Sequence, residues 1–260
     1  MGIGIVKQQT PEEEELAAKR EELARLEAEL ADRELALASL KAELAAFEGL
    51  YLRRVGVLYA ELDDWNARLA ERRAEEVGTP EARAEAADAR SQAQESHSTA
   101  HSDAAEVRPF APSPELKSLY REAAKRVHPD TATDEKDRAR RERLMKEVNA
   151  AYAAGDEDAL RRILAGLDTS PDAVQGSGVG ADLIRVLRQL KQVRDRIAAI
   201  ERELAALNGS EIALLRRDVE RAEQEGRDLL AEIEAAVHAK IEKARRSHEA
   251  MRTEVEKHGR

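Results

Sequence analysis

The chain has no cysteine, which removes disulfide frameworks, CxxC redox chemistry and cysteine-rich zinc modules, and a reducing compartment fits this easily. Aromatic residues are scarce as well, 3% of 260 residues, so there is little bulky material for one large globular core. No apolar run approaches the roughly 20 residues that a bilayer-spanning helix needs. The apolar GIGIV stretch near the start is too short for a signal-peptide core and is followed at once by Glu12 to Glu15. A cytoplasmic protein without a membrane partner is the expectation. No glycine-rich phosphate loop and no obvious nucleophile accompany the histidines, so neither an enzyme nor a cofactor is expected. A net charge of -10 argues against a chain whose main task is to coat DNA or an anionic membrane.

What the chain does have is charge, 37% of residues, set among alanine and leucine. That mixture points to an all-α protein built on long coiled-coil helices. Thr10, Pro11 and the acids Glu12 to Glu15 are a helix start. Leu16, Leu23, Leu26, Leu30, Leu37, Leu40, Leu44 and Phe47 then fall on three- and four-residue steps, with Lys19 and Arg33 filling two seam positions. One extra four-residue step between Tyr51 and Val55 is a stutter, after which Leu58, Leu62, Trp65 and Leu69 resume the alternation. An N-terminal coiled coil over 11–77 follows, stopped by Gly78-Thr79-Pro80. Residues 78–112 lose the period and read as a linker, helical at first and then flexible.

A C-terminal coiled coil is expected over 182–257, after a second linker at 168–181. Its seam reads Leu183, Leu187, Leu190, Arg194, Ile197, Ile200, Leu204 and Leu207. It resumes out of phase as Ile212, Leu215, Val219, Ala222, Gly226, Leu229, Ile233 and Ala236. Asn208-Gly209-Ser210 marks a break between the two stretches. The charged tail from His238 should fray. The two arms could fold back on each other as an antiparallel pair or assemble between chains as a homo-oligomer, and the sequence leaves both open. Leu40, Leu44, Ile197 and Ile200 should be largely buried in either case.

Between the linkers, residues 113–167 have another texture. Leu116, Leu119, Tyr120, Ala123 and Val127 form one apolar stripe, while Lys117, Arg121 and Lys125 stand four residues apart on another face. Pro129 ends that helix at His128, leaving His128 and Asp130 at an exposed tip. Asp134 offers a cap for the next helix, whose stripe is Leu144, Met145, Val148, Ala151 and Tyr152; Gly155 ends it and Asp156 caps a third. Leu119 to Asp130, with Tyr120-Arg121 eight and seven residues before His128, resembles helix II and the loop of the DnaJ-family J domain. Glu147-Val148-Asn149-Ala150-Ala151-Tyr152 resembles its helix III.

The resemblance covers about a fifth of the chain and implies a J-domain co-chaperone. His128, Pro129 and Asp130 would engage a DnaK-type ATPase chaperone and promote its ATP hydrolysis. Lys117, Arg121, Lys125 and Arg126 would steer onto an acidic surface of that partner, and the coiled-coil arms would serve self-association or hold an unidentified protein client. The family's helix I has no counterpart; Pro109-Phe110-Ala111-Pro112 stands in its place, with Phe110 covering part of the same apolar surface. Thr131 replaces the usual basic residue after the tripeptide, and Met145 the usual phenylalanine. A coiled-coil scaffold whose J-like module only binds proteins is the alternative. Blander readings suffice elsewhere: His97 and His101 lack acids or thiols for a metal site, and acids interleave Arg138 to Lys146, so no metal and no nucleic acid is expected there. Tyr51, Tyr59 and Trp65 read as seam packing.

Overall fold

The structure, a computed structural model, describes residues 10–101, 110–132, 135–168 and 178–258. All its regular elements are helical. They are α1 (Pro11–Tyr51), a π-helical turn (Leu52–Gly56), α2 (Val57–Val77), α3 (Pro80–Ala100), α4 (Pro114–Val127), a 3-10 turn (Pro129–Thr131), α5 (Glu135–Ala153), α6 (Glu157–Asp168), α7 (Val179–Asn208), α8 (Glu211–Gln224) and α9 (Leu229–His258). No helix among the described residues is long and apolar enough to cross a membrane. Contacts divide the chain into two units: one of residues up to Ala42 with Phe110–Asn208, the other of Glu43–Pro109 with Gly209–Arg260.

In the first unit, Thr10 opens α1 with a reciprocal cap. Its hydroxyl accepts from the Glu13 N–H (3.3 Å) and its own N–H donates to the Glu13 carboxylate (3.0 Å). Leu16, Leu23, Leu30 and Leu37, seven residues apart, are buried against Val186, Leu190, Val193, Ile197 and Ile200 of α7. The arms pair within one chain, and they run parallel, not antiparallel as a simple fold-back would require. Arg20 meets Asp182, Glu34 meets Arg196 and Lys41 meets Glu203, each 162 residues apart. A constant separation along two helices is possible only if both point the same way. Between them the chain runs through α2 and α3 and then α4 to α6 before α7 begins.

Leu44, Ile197 and Ile200 are buried as expected, and Leu40 is half-buried. The α7 seam departs from its expected register: Val186 and Val193 are buried, whereas Leu187 is exposed and Arg194 pairs with Glu22 at the rim. Strict three–four alternation from Leu183 passes through 186 and 193. Following the larger leucine side chain at 187 misses it.

In the second unit, the stutter between Tyr51 and Val55 takes the form of the π turn, whose one extra residue per turn rotates the apolar face onward. Gly56 lies in that turn, where a Cβ would come within 3.1 Å of Leu52 and 3.9 Å of Ala100. The helical first part of the expected linker at 78–112 is α3, which runs on to Ala100 and packs on α2; residues 102–109 of that linker lie outside the described residues. α3 starts on a Thr79 cap after Gly78, which adopts a left-handed φ of 72°. α2 buries Ala60, Ala67 and Ala74, and α3 buries Ala86, Ala93 and Ala100. Alanine every seventh residue on both helices lets the backbones approach closely, a period that a search for large apolar residues does not register. Ser96 and Arg90 bind Asp63 and Asp64 across this antiparallel hairpin.

α7 ends at Asn208 and Ser210 caps α8, as the sequence indicates. A second break, unforeseen, falls at Gly226 (φ 77°), so Gly226 is no seam residue. α9 continues to His258, with Val237, Ile241 and Ala244 buried, where fraying is expected from charge alone. Trp65 lies edge-on to His248 (5.7 Å) with Arg68 over its ring. Tyr51 packs against the cluster of Val55, Val219 and Leu230, while Tyr59 is exposed.

Candidate functional site

The residues that match the sequence motif sit where α4 turns into α5. Ser113 caps α4, accepting from the Leu116 N–H (2.9 Å), and Pro114 occupies its first turn. At the other end Pro129 forces extended backbone on His128 (ψ 128°), so the helix stops there. Gly155, at φ 71°, closes α5, and the Asp156 carboxylate caps α6 through the Ala159 N–H (2.8 Å). The Asp134 cap lies outside the described residues. Tyr120, Ala123, Val127, Val148, Tyr152 and Leu160 are the centre of the core among the three helices. Tyr120 donates to Asn149 Oδ1 at 2.7 Å, and its ring lies 4.7 Å from that of Tyr152. Burial, and then the Glu34 charge, push the Tyr120 hydroxyl well above its usual pKa.

Among the described residues, α1 and Phe110 cover this core in front of α4. Ala31 and Leu35 of α1 are buried in it, Ala38 packs beside them, and Phe110 stands edge-on to Tyr152 at 5.4 Å. Tyr152 also shares a hydrogen bond with Ser39 (2.8 Å). One stretch of α1 therefore serves two partners: Leu30 and Leu37 face α7, and Ala31, Leu35 and Ala38 face α4 to α6.

The tip is not exposed. His128 retains 3% of its accessible surface and Glu34 of α1 retains 4%. The Asp130 N–H donates to His128 Nδ1 (3.1 Å), which leaves the ring proton on Nε2, and Nε2 donates to Glu34 Oε1 at 3.1 Å. The same carboxylate oxygen accepts from Arg196 of α7 at 2.8 Å. Burial pushes the Glu34 carboxyl up. The His128 hydrogen bond and the Arg196 guanidinium outweigh that and hold it below the usual carboxylate range. A histidine at a helix end reads as exposed only until a second element is packed over it, and here α1 and α7 both are.

Around it, Arg138 holds Asp130 (3.1 Å), the Thr131 hydroxyl donates to the His128 carbonyl (2.8 Å), and Arg141 reaches Thr131 Oγ1 (2.7 Å) and the Arg126 carbonyl (3.2 Å). The turn is thus fixed from both α4 and α5. Of the basic residues, Arg121 pairs with Asp32 of α1 (2.6 Å), and Arg126 pairs with Glu122 (3.1 Å). Lys125 is exposed and Lys117 half-buried. Lys125, Arg141 and His128 all act electrostatically on Glu27, whose carboxyl burial nonetheless pushes above its usual value.

Sequence reasoning missed Glu27, Asp32, Glu34 and Arg196. One signal was available: Ala31, Leu35 and Ala38 form a second apolar stripe beside the seam, which marks that stretch of α1 as two-faced. His97 and His101 are exposed and stacked on each other (4.2 Å), with no metal-binding group of three or more ligands among the described residues. No family model, curated protein or solved structure matches the chain.

Proposed function

We propose that the chain is a J-domain co-chaperone: α4 to α6 form a J-like module, carried on coiled-coil arms, that recruits a DnaK-type ATPase chaperone through His128, Pro129 and Asp130. The observation that carries this reading is the turn itself. A basic helix leads into a rigid 3-10 turn at Pro129–Thr131, braced by Arg138 and Arg141 from α5. Tyr120, Asn149 and Tyr152, the residues that match the motif most closely, lock the two helices together. α1 supplies the surface that the family's missing helix I would cover, which supports a complete module despite the missing element.

A second reading is a scaffold in which the J-like module only binds proteins, and the burial of His128 favours it. Single-turnover ATP hydrolysis by a DnaK-type chaperone separates the two. A rise in rate that Asp130→Asn removes supports the co-chaperone. A chaperone rate unchanged at every concentration of the protein, with the turn shown to be accessible, leaves the scaffold.

A further inference from the structure

We propose that α1 is an intramolecular competitor for the J-like module, an acidic helix face occupying the surface by which the module would bind its chaperone. The inference rests on the co-chaperone reading. It starts from two contacts and one electrostatic interaction that converge on one stretch of α1. Glu34 accepts a hydrogen bond from the Nε2–H of buried His128, Asp32 pairs with Arg121, and Glu27 lies within electrostatic reach of Lys125 and His128. His128 and Arg121, two of the residues assigned above to the partner, each contact a carboxylate of that helix, and Lys125 acts electrostatically on a third.

Geometry makes the contact a latch, not incidental packing. The 3-10 turn at Pro129–Thr131 lies directly against α7, so a protein surface cannot reach His128 while the pair α1–α7 is docked there. Arg196 ties the Glu34 carboxylate back to α7, so both arms hold the closed state. Release is needed only at the tip, because α1 also completes the module's core. The module's core is anchored to α1 through Ala31, Leu35 and Ala38 and through hydrogen bonds of Tyr152 with Ser39 and of Tyr120 with the Glu34 carbonyl, while at the tip its contacts with α1 are the side-chain pairs Arg121–Asp32 and His128–Glu34, which a second acidic surface could replace. Partner affinity is reduced by the fraction of molecules that are open. A client or partner that draws the arms aside would raise that fraction and turn the co-chaperone on where the client is.

The test changes only α1, leaving every module residue intact. In the full chain, Asp32→Asn with Glu34→Gln weakens the latch isosterically, and Asp32→Lys with Glu34→Lys opposes it. Two readouts are taken: carbethoxylation of His128 by diethylpyrocarbonate, referenced to exposed His97 and His101, and single-turnover ATPase of a DnaK-type chaperone at limiting concentration. The proposal expects His128 to be protected in the wild type and increasingly modified across the two variants. ATPase stimulation should rise in the same order, by roughly tenfold if the closed chain is open about a tenth of the time. It should vanish when Asp130→Asn is added. Wild-type His128 as reactive as His97, or stimulation that stays at the wild-type level while His128 becomes reactive, overturns the latch and leaves the co-chaperone reading standing. Reactive His128 with no stimulation by any variant overturns the co-chaperone reading, and the latch with it.

Discussion

Glu34→Ala probes the buried contact at its centre. The substitution removes the acceptor of the His128 Nε2–H, which is buried with the imidazole, and a buried donor left without a partner costs about 1–3 kcal/mol. It also leaves Arg196 without its carboxylate. Breaking a fully buried pair costs about 3–5 kcal/mol, but the Arg196 side chain keeps 33% of its surface and can turn to water, so its share is smaller. The sum is a loss of about 2–3 kcal/mol, or a fall in Tm of roughly 6 °C for a chain of this size. Glu34→Gln keeps an oxygen for His128 and loses only the charge, so its cost should be about 1 kcal/mol. Circular dichroism melts of the three proteins measure this. The pH dependence has a definite sign. Because the folded Glu34 carboxyl lies below its usual value, its stabilisation is complete above about pH 5 and is lost as pH falls through the folded pKa. The gap between wild type and Glu34→Ala should be flat from pH 6 to 8 and shrink below about pH 4. A Glu34→Ala protein within about 0.5 kcal/mol of wild type at pH 7, or a gap that does not change in acid, would refute the buried-pair account.

Leu30→Ala should cost about 2–5 kcal/mol, because Leu30 is buried between α1 and α7 where little can collapse into the space; urea unfolding followed by helix signal reads it. Ala67→Leu should also destabilise, by about 1–3 kcal/mol, since Ala67 has no exposed surface and a larger side chain must push α2 and α3 apart; the same assay checks it. Tyr120→Phe should cost about 1 kcal/mol at pH 7 by leaving Asn149 Oδ1 without its donor. As the Tyr120 hydroxyl is held above its usual pKa, the wild type should lose stability on going above about pH 10, and the variant should lose less, which alkaline melts would show.

Much of the fold was legible. Leucines every seventh residue from Leu16 to Leu44 announced the buried face of α1, and the extra step after Tyr51 became a π turn. The ends of α4 and α5 and the start of α6 followed from Pro129, Gly155 and Asp156. What hid was whatever depended on pairing. Alanine has so small a side chain that the α2–α3 hairpin looked like a linker, and nothing in a heptad tells a parallel partner from an antiparallel one. The exposure of His128 was inferred from its helix alone. Its burial depends on Glu34, 94 residues earlier, and on Arg196 of α7, and no local pattern reports a contact over that separation.

The most direct measurement of the central claim is single-turnover ATP hydrolysis by a DnaK-type chaperone with the Asp32→Lys/Glu34→Lys chain, in which the turn should be freed while the module is unaltered. The account predicts acceleration above the chaperone's basal rate, greater than that given by wild type and abolished by Asp130→Asn. A basal rate at saturating concentrations of a folded variant with reactive His128 would contradict it.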